Sequence, residues 1–282
     1  MDLDSSKMIS SKNITFSIIV VCLNPGDSLI ATINSILEQT YSNYEIIVKD
    51  GMSSDSSLTK IPTNDRRIKV FREADDGIYS AMNQAIAHAN GRFVLFLNCG
   101  DLFFDPAVLD EISKVVSDER AIYYGDCYTR NRGYILRYPK IFNDYVCLTK
   151  TLCHQSTIYP LRILRERPFD STYTINADFE YYVNAYCKRD IRMLHIDKVI
   201  SNYEGGGLSD NPKSRKISIK QSKHILKSNL GKNRYRSAKA KAELHLFTIK
   251  QWLSSLSWFR PFYEKIAIKH YKKENDYHKN NK

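Results

Sequence analysis

Five apolar residues, Phe93-Val94-Leu95-Phe96-Leu97, run without a break and stop at Asn98-Cys99-Gly100-Asp101. A strand with one wet face would alternate apolar and polar residues. An unbroken run instead suits a strand covered on both faces, as in a parallel α/β sheet. Ligands of such open sheets bind beyond the carboxyl ends of the strands, which puts Asp101 on the rim where chemistry takes place. Two readings of the tetrapeptide stand on this stretch alone. It is a turn, since Asn, Gly and Asp all favour turns, or its carboxylate holds a divalent metal against a diphosphate.

The chain before it has the matching rhythm. Phe16 to Leu23 reads as a buried first strand ending at the turn formers Asn24-Pro25-Gly26. Asp27 is placed to cap a helix whose Ile30, Ile33, Ile36 and Leu37 share a face. Glu45 to Lys49 is a second strand, followed by Asp50-Gly51, and Ile68 to Phe71 a short third. A helix from about Ile78 turns Ile78, Met82, Ala85, Ile86 and Ala89 inward, with Gly91 placed to end it. Strands alternating with short helices imply βαβ units and a mostly parallel, twisted sheet. No GxGxxG follows the first strand and no Walker loop is present, so the common dinucleotide and P-loop sites are excluded.

After Asp101 the pattern changes. Asp105-Pro106 starts a helix, with Val108, Leu109, Ile112, Val115 and Val116 on its apolar face. Ala121–Thr129 and Tyr134–Tyr138 predict a hairpin around residues 130–133, a small antiparallel part. Leu152 to Tyr159 is a further strand carrying His154, and a helix near Asp178 sets Phe179, Tyr182, Val183 and Tyr186 on one side. Ile191 to Tyr203 is extended, and the glycines at 205–207 break it. From Asn211-Pro212 the pattern is largely helical to about Tyr271. The division expected is a catalytic unit over 1–210 and a basic helical extension over 211–282.

Charge sharpens that division. Of a net +11, residues 205–282 hold 19 Lys+Arg against 5 Asp+Glu, while the rest of the chain is mildly acidic. A tail of this kind seeks an anionic partner or is simply a solvated helix face. His245 to Leu253 and Trp258 to Tyr263 mix aromatics with cations as interfacial helices do; the alternative is a helix packed on the body. No stretch approaches 18 consecutive apolar residues, and the polar leader Met1 to Asn13 lacks the apolar segment of a signal peptide. Six cysteines without CxxC pairing suit buried, reduced thiols in a cytosolic protein.

Four acidic sites follow strands or open a helix: Asp50, Asp75-Asp76, Asp101 and Asp178. Singly, each reads as well as a turn or a cap. Together, on one rim, they would repel unless a cation or hydrogen-bond donors joined them. With their neighbours they resemble the family-2 nucleotide-sugar glycosyltransferases of the GT-A fold. The matching stretches are Phe16–Leu23, Ile47-Val48-Lys49-Asp50-Gly51 and Phe96 to Asp101. Glu73-Ala74-Asp75-Asp76-Gly77-Ile78-Tyr79-Ser80-Ala81-Met82-Asn83 is similar to the E-x-D-x-G-I-Y-D-A-M-N signature of a bacterial branch serving colanic acid, capsule and O-antigen synthesis. Cys153-His154-Gln155-Ser156, Ala177-Asp178-Phe179 and Gly206-Gly207-Leu208-Ser209 resemble further blocks of that branch.

The resemblance implies an α/β GT-A fold, Rossmann-like, and an inverting transfer from a nucleotide-sugar, with UDP the expected carrier, to a lipid-linked saccharide acceptor. It gives Asp50 the nucleotide base, Leu23 and Asn24 the base and ribose pocket, and Asp75 the ribose or donor sugar. Asn98 would shape the donor's approach, and His154 reads either as a further phosphate or metal contact or as a packed, hydrogen-bonded residue of its strand. Asp101 matches the last carboxylate of the metal motif, for Mg²⁺ or Mn²⁺, although the preceding positions carry no Asp. Asp178 matches the catalytic base. The implied location is the cytoplasmic side of the inner membrane, held through the basic tail, which could also pair two copies into a homodimer. A sugar-nucleotide nucleotidyltransferase is the rival enzyme, but residues 24–27 lack the cations that hold a triphosphate. A nucleic-acid-binding protein is the rival of another class; no RNP, KH or zinc-finger signature supports it.

Overall fold

The structure is a computed structural model and describes residues 14–62, 64–206 and 212–244. Strands β1 (Phe16–Cys22), β2 (Tyr44–Asp50), β3 (Ile68–Arg72) and β4 (Phe93–Phe96) form the first half of one sheet, in the order β3-β2-β1-β4. All three pairings there are parallel. Three helices connect or flank these strands: α1 (Ser28–Leu37), α2 (Ile78–His88) and α3 (Val108–Ser113).

The unbroken apolar runs have the predicted cause. Phe16, Ile18 and Val20 of β1 face a core shared with Leu29 and Ile33 of α1 and Leu109 of α3. Ile19 and Val21 face the opposite core, with Met82 and Ala85 of α2. Period-two alternation therefore fills both sides, and each fully buried Ile or Phe contributes roughly 1.5–3 kcal/mol. A parallel sheet covered by helices on both sides thus follows from burial on two faces.

The second half curls away. β8 (Thr157–Pro160) runs antiparallel to β4, and β6 (Ala121–Thr129) antiparallel to β8. β9 (Arg192–Tyr203) runs parallel to β6 over nearly its whole length, and β5 (Leu102–Phe103) closes the edge. The predicted hairpin is present as β6 with β7 (Tyr134–Leu136). Parallel pairings carry the long registers, and antiparallel ones the short. Helices α4 (Asp144–Thr149), α5 (Leu161–Glu166) and α6 (Ala177–Lys188) cover this half, and α7 (Pro212–Leu244) lies on α4 and α6.

Several local expectations change. Asp27 occupies the N-cap of α1 but makes no side-chain cap hydrogen bond, its carboxylate pairing with Lys60. Leu29 and Thr32 join Ile33 and Ile36 on the buried face, Leu37 packs against it half-buried, and Ile30 is not part of that core. Gly91 does not end α2, which stops at an extended Ala89. A Cβ at Gly91 would stand 2.5 Å from the Ser17 nitrogen, so its smallness serves the passage against β1. The third helix starts at Val108, after an Asp105 turn that receives the Ala107 N–H, and leaves Val115 exposed. His154 sits on a 3-10 turn, His154–Ser156, before β8 and not on a strand. α7 breaks at Gly231 (φ 73°), and the helix expected beyond Leu244, with both aromatic-cationic stretches, lies outside the described residues.

Candidate active site

At the carboxyl ends of β1 and β2 the register sets Cys22 beside Asp50. Asp50 is fully buried, and its Oδ2 accepts from the Ser53 N–H (2.9 Å) and Arg72 Nε (3.2 Å). Burial opposes the charge, but the Ser53 and Arg72 hydrogen bonds outweigh it and hold the carboxyl below the ordinary range. The loop after β1 is tied to the loop after β2. Asn24, in the left-handed region (φ 48°), donates its N–H to Ser53 Oγ and accepts the Ser54 N–H on its side chain. Leu23 is left 63% exposed at this rim.

Asp75 stands alongside. Its Oδ2 lies 2.9 Å from Nζ of Lys49, a fully buried lysine that also donates to the Glu73 carbonyl at 2.7 Å. Burying an ammonium is tolerable only with such partners. Gly51 leaves room for this pair, since a Cβ there would meet Asp75 Oδ2 at 2.8 Å.

The stretch after β4 is both a turn and a site. The Asp101 N–H returns to the Asn98 carbonyl, and buried Thr32 of α1 pins the turn, donating to the Asp101 carbonyl and accepting the Gly100 N–H. Gly100 has φ 93°, a left-handed conformation that favours glycine, and the Glu204 carboxylate lies against it. The Asp101 side chain is 4% exposed in its residue, and takes Gln155 Nε2 on Oδ2 (2.7 Å) and the Glu204 N–H on Oδ1 (2.9 Å). Burial outweighs these bonds and pushes its carboxyl up to about 6.

Asp178 is the second residue of α6. Its Oδ1 is 2.8 Å from the Tyr79 hydroxyl, and its Oδ2 is 3.7 Å from His154 Nδ1. Burial, only partly offset by Asp178, lowers the proton affinity of His154 and keeps it neutral near pH 7. The ring stacks on Phe96 (centroids 4.9 Å), and its Nε2 is buried with no hydrogen-bond partner.

A cavity of about 580 Å³ brings Asn98, Asp101, His154 and Asp178 onto one wall system, together with Tyr79, Gln155, Asn176 and Glu204. Leu23, Asn24, Asp50 and Asp75 do not line it; they form a neighbouring group along the rim of β1 to β3. Sequence reasoning assigned no role to Tyr79, Gln155 or Glu204. The first two lay inside quoted motifs, but nothing near Glu204 in the chain signals a partner 103 residues away.

Among the described residues no group of three or more His, Cys, Asp or Glu is set to hold a metal ion. Hard divalent cations prefer oxygen donors. Asp101 and the buried, unpartnered Asn98 Oδ1 supply two such oxygens to the cavity. They fit a cation that draws its remaining ligands from a diphosphate and water, not one caged by protein.

Residues 17–191 match the family described as "Glycosyl transferase family 2". The chain is similar to the UDP-Glc:alpha-D-GlcNAc-diphosphoundecaprenol beta-1,3-glucosyltransferase WfgD of Escherichia coli, at 34% identity over 66% of this chain and 76% of that protein. It is 28% identical to a PGL/p-HBAD biosynthesis glycosyltransferase of Mycobacterium bovis, over 69% of this chain and 79% of that one. Among solved structures, S. aureus TarS superposes with a TM-score of 0.57 at 19% identity, covering 87% of this chain and 48% of TarS, and so shows the fold.

Proposed function

The chain belongs to glycosyltransferase family 2, and on that premise we propose that it moves a sugar from a UDP-linked donor to a lipid-linked saccharide of a bacterial surface glycan, inverting the anomeric carbon. The single observation that carries this is the convergence of Asp101 and Asp178 on one cavity from opposite halves of the sheet. Membership in the family selects this reading over a nucleotidyltransferase. The lipid-linked acceptor follows the similarity to WfgD, whose name states such an acceptor.

In the reading, Asp50 accepts the imide N–H of the base, a task for an acceptor-only group already fixed by Ser53 and Arg72. Leu23 and Asn24 border base and ribose, and Asp75, anchored by Lys49, borders the ribose or donor sugar. Asp101 and Asn98 face the diphosphate and would hold Mg²⁺ or Mn²⁺ there. Such an ion supplies charge stabilisation for the departing nucleoside diphosphate. His154, neutral and with Nε2 free of partners, offers the cavity a lone pair or a donor according to its tautomer.

Asp178 takes the proton of the acceptor hydroxyl as its oxygen bonds to the anomeric carbon. The bond from that carbon to the phosphate oxygen breaks on the opposite face, and its electron pair leaves with UDP. General base catalysis of this kind contributes typically 10²–10⁴-fold. A panel of UDP-, GDP- and dTDP-sugars with Mg²⁺ or Mn²⁺, followed by thermal shift, tests the donor: stabilisation by UDP-sugars is expected, and preference for another nucleotide would overturn the UDP assignment.

The tail reading extends to the membrane. Among the described residues no helix is long and apolar enough to cross one. Ile225, Leu226 and Leu230 of α7 are buried against the body, while Lys216, Lys220, Lys223 and Lys227 stay exposed. This supports a packed helix whose outer face meets anionic lipid on the cytoplasmic side. Replacing these four lysines with Glu should abolish flotation with anionic liposomes and leave folding intact; unchanged flotation would remove the membrane role from this face.

A further inference from the structure

One oxygen of Asp178 is committed to a hydroxyl that the mechanism above leaves idle. Tyr79 Oη lies 2.8 Å from Asp178 Oδ1 and 2.5 Å from the Ile175 carbonyl oxygen. The phenol is buried on α2 and packs on Phe169 with ring centroids 5.9 Å apart. A phenol has one proton to donate and lone pairs with which to accept. The Ile175 carbonyl accepts only, and so does an ionised carboxylate.

With Asp178 ionised, therefore, one proton serves two acceptors. Once Oδ1 carries a proton, Asp178 donates to Tyr79 and Tyr79 donates to Ile175. Every group in the row is then satisfied, and hydrogen bonds in such a chain reinforce one another away from water. The arrangement suits the base after it has taken the acceptor's proton better than before. This opposes the effect of its place in the first turn of α6, where the helix dipole favours the anion.

No other group facing Asp178 offers this. His154 on the turn before β8 stands 3.7 Å from Oδ2, beyond hydrogen-bond reach, and is neutral. Tyr159 of β8 and Tyr182 of α6 are nearby buried phenols, and Tyr182 already accepts the Leu152 N–H. No Lys or Arg among the described residues pairs with Asp178.

We propose that Tyr79 is a positioning residue for sugar transfer: wedged between the Ile175 carbonyl and Asp178, its hydroxyl fixes Oδ1 and receives the hydrogen bond of Asp178 when the acceptor's proton arrives there. Tyr79 itself ends each turnover unchanged; the proton passes from the acceptor hydroxyl to Asp178 and then to solvent as product leaves. This rests on Asp178 being the base.

The test compares the full chain with Tyr79→Phe and Asp178→Asn. Release of UDP from UDP-glucose, UDP-galactose and UDP-GlcNAc is followed, with a short-chain GlcNAc-diphospholipid and with water as acceptor. Tyr79→Phe should lower kcat on the order of tenfold, with KM for donor and acceptor within about twofold, UDP affinity unchanged by calorimetry and the melting midpoint nearly unmoved. If kcat stays within about twofold of the parent while Asp178→Asn is silent, Tyr79 only packs and the base assignment survives. A rise in KM that tracks a fall in melting midpoint would likewise overturn the positioning role. Near-normal turnover by Asp178→Asn removes the base assignment, and Tyr79's role goes with it.

Discussion

On the parallel half of the sheet, Asp50 touches Arg72 and Asp75 touches Lys49; on the cavity side, Asp101 and Asp178 are held by Gln155, a backbone N–H and a phenol. The first two have their charge neutralised and their geometry fixed, which suits recognition of a neutral base and sugar. The second two keep their charge unspent. Asp101, buried without a cation in contact, has its carboxyl pushed up to about 6, while Arg72 and Ser53 hold Asp50 low. Unspent negative charge in a cavity is what a departing diphosphate's cation, or an arriving proton, requires.

Removing the base breaks this contrast most severely. Asp178→Asn should cut turnover by about 10²–10⁴ and leave UDP binding as it was. Next comes Asp101→Ala: turnover should fall about 10²–10³-fold, and any enhancement of UDP binding by Mn²⁺ should vanish in calorimetry. Persisting enhancement would place the cation elsewhere. On the other half, Asp50→Ala loses a charge-assisted contact worth roughly 1.5–3 kcal/mol, so UDP should bind about tenfold to a hundredfold more weakly while kcat at saturation changes little.

The smallest effect concerns α7. Arg234 makes two hydrogen bonds to Asp144 of α4 and holds that carboxyl below the usual range. The pair is partly exposed, so Arg234→Ala should cost less than about 1 kcal/mol. A carboxyl whose folded value is depressed adds stability above its unfolded value of about 3.9 and loses it as pH falls through the folded value. Denaturation curves of parent and variant should accordingly differ at pH 7 and converge below about pH 4; a constant gap would show that packing, not charge, is lost.

Much of the parallel half was legible because its runs Phe16–Leu23 and Phe93–Leu97 could be buried in one way only. The curled half was harder. His154 was expected within a strand running from Leu152 to Tyr159, yet the chain turns there and brings Gln155 onto Asp101. The helix start at Asp105 was misplaced because its carboxylate takes the Ala107 N–H, whereas Asp27 does stand at the N-cap of α1 but turns its side chain to Lys60. The four acidic positions were readable from motifs, but their sorting into neutralised and unspent pairs depends on Lys49, Arg72, Gln155 and Tyr79, which only folding brings near. The tail's place was likewise hidden: Asn176, just before the α6 start, donates to the Ser218 carbonyl and Ser222 Oγ of α7. The basic helix thus braces the start of α6, the helix that carries Asp178, which cutting the chain at Asn211 would disturb.

The central claim is that the rim divides into a binding pair and a reacting pair. Calorimetric titration of UDP with Mn²⁺ into Asp50→Ala and Asp178→Asn, side by side with the parent, tests it most directly. Affinity should fall at least about tenfold for Asp50→Ala and stay within about twofold of the parent for Asp178→Asn. Weakened binding in Asp178→Asn with normal binding in Asp50→Ala would contradict the division.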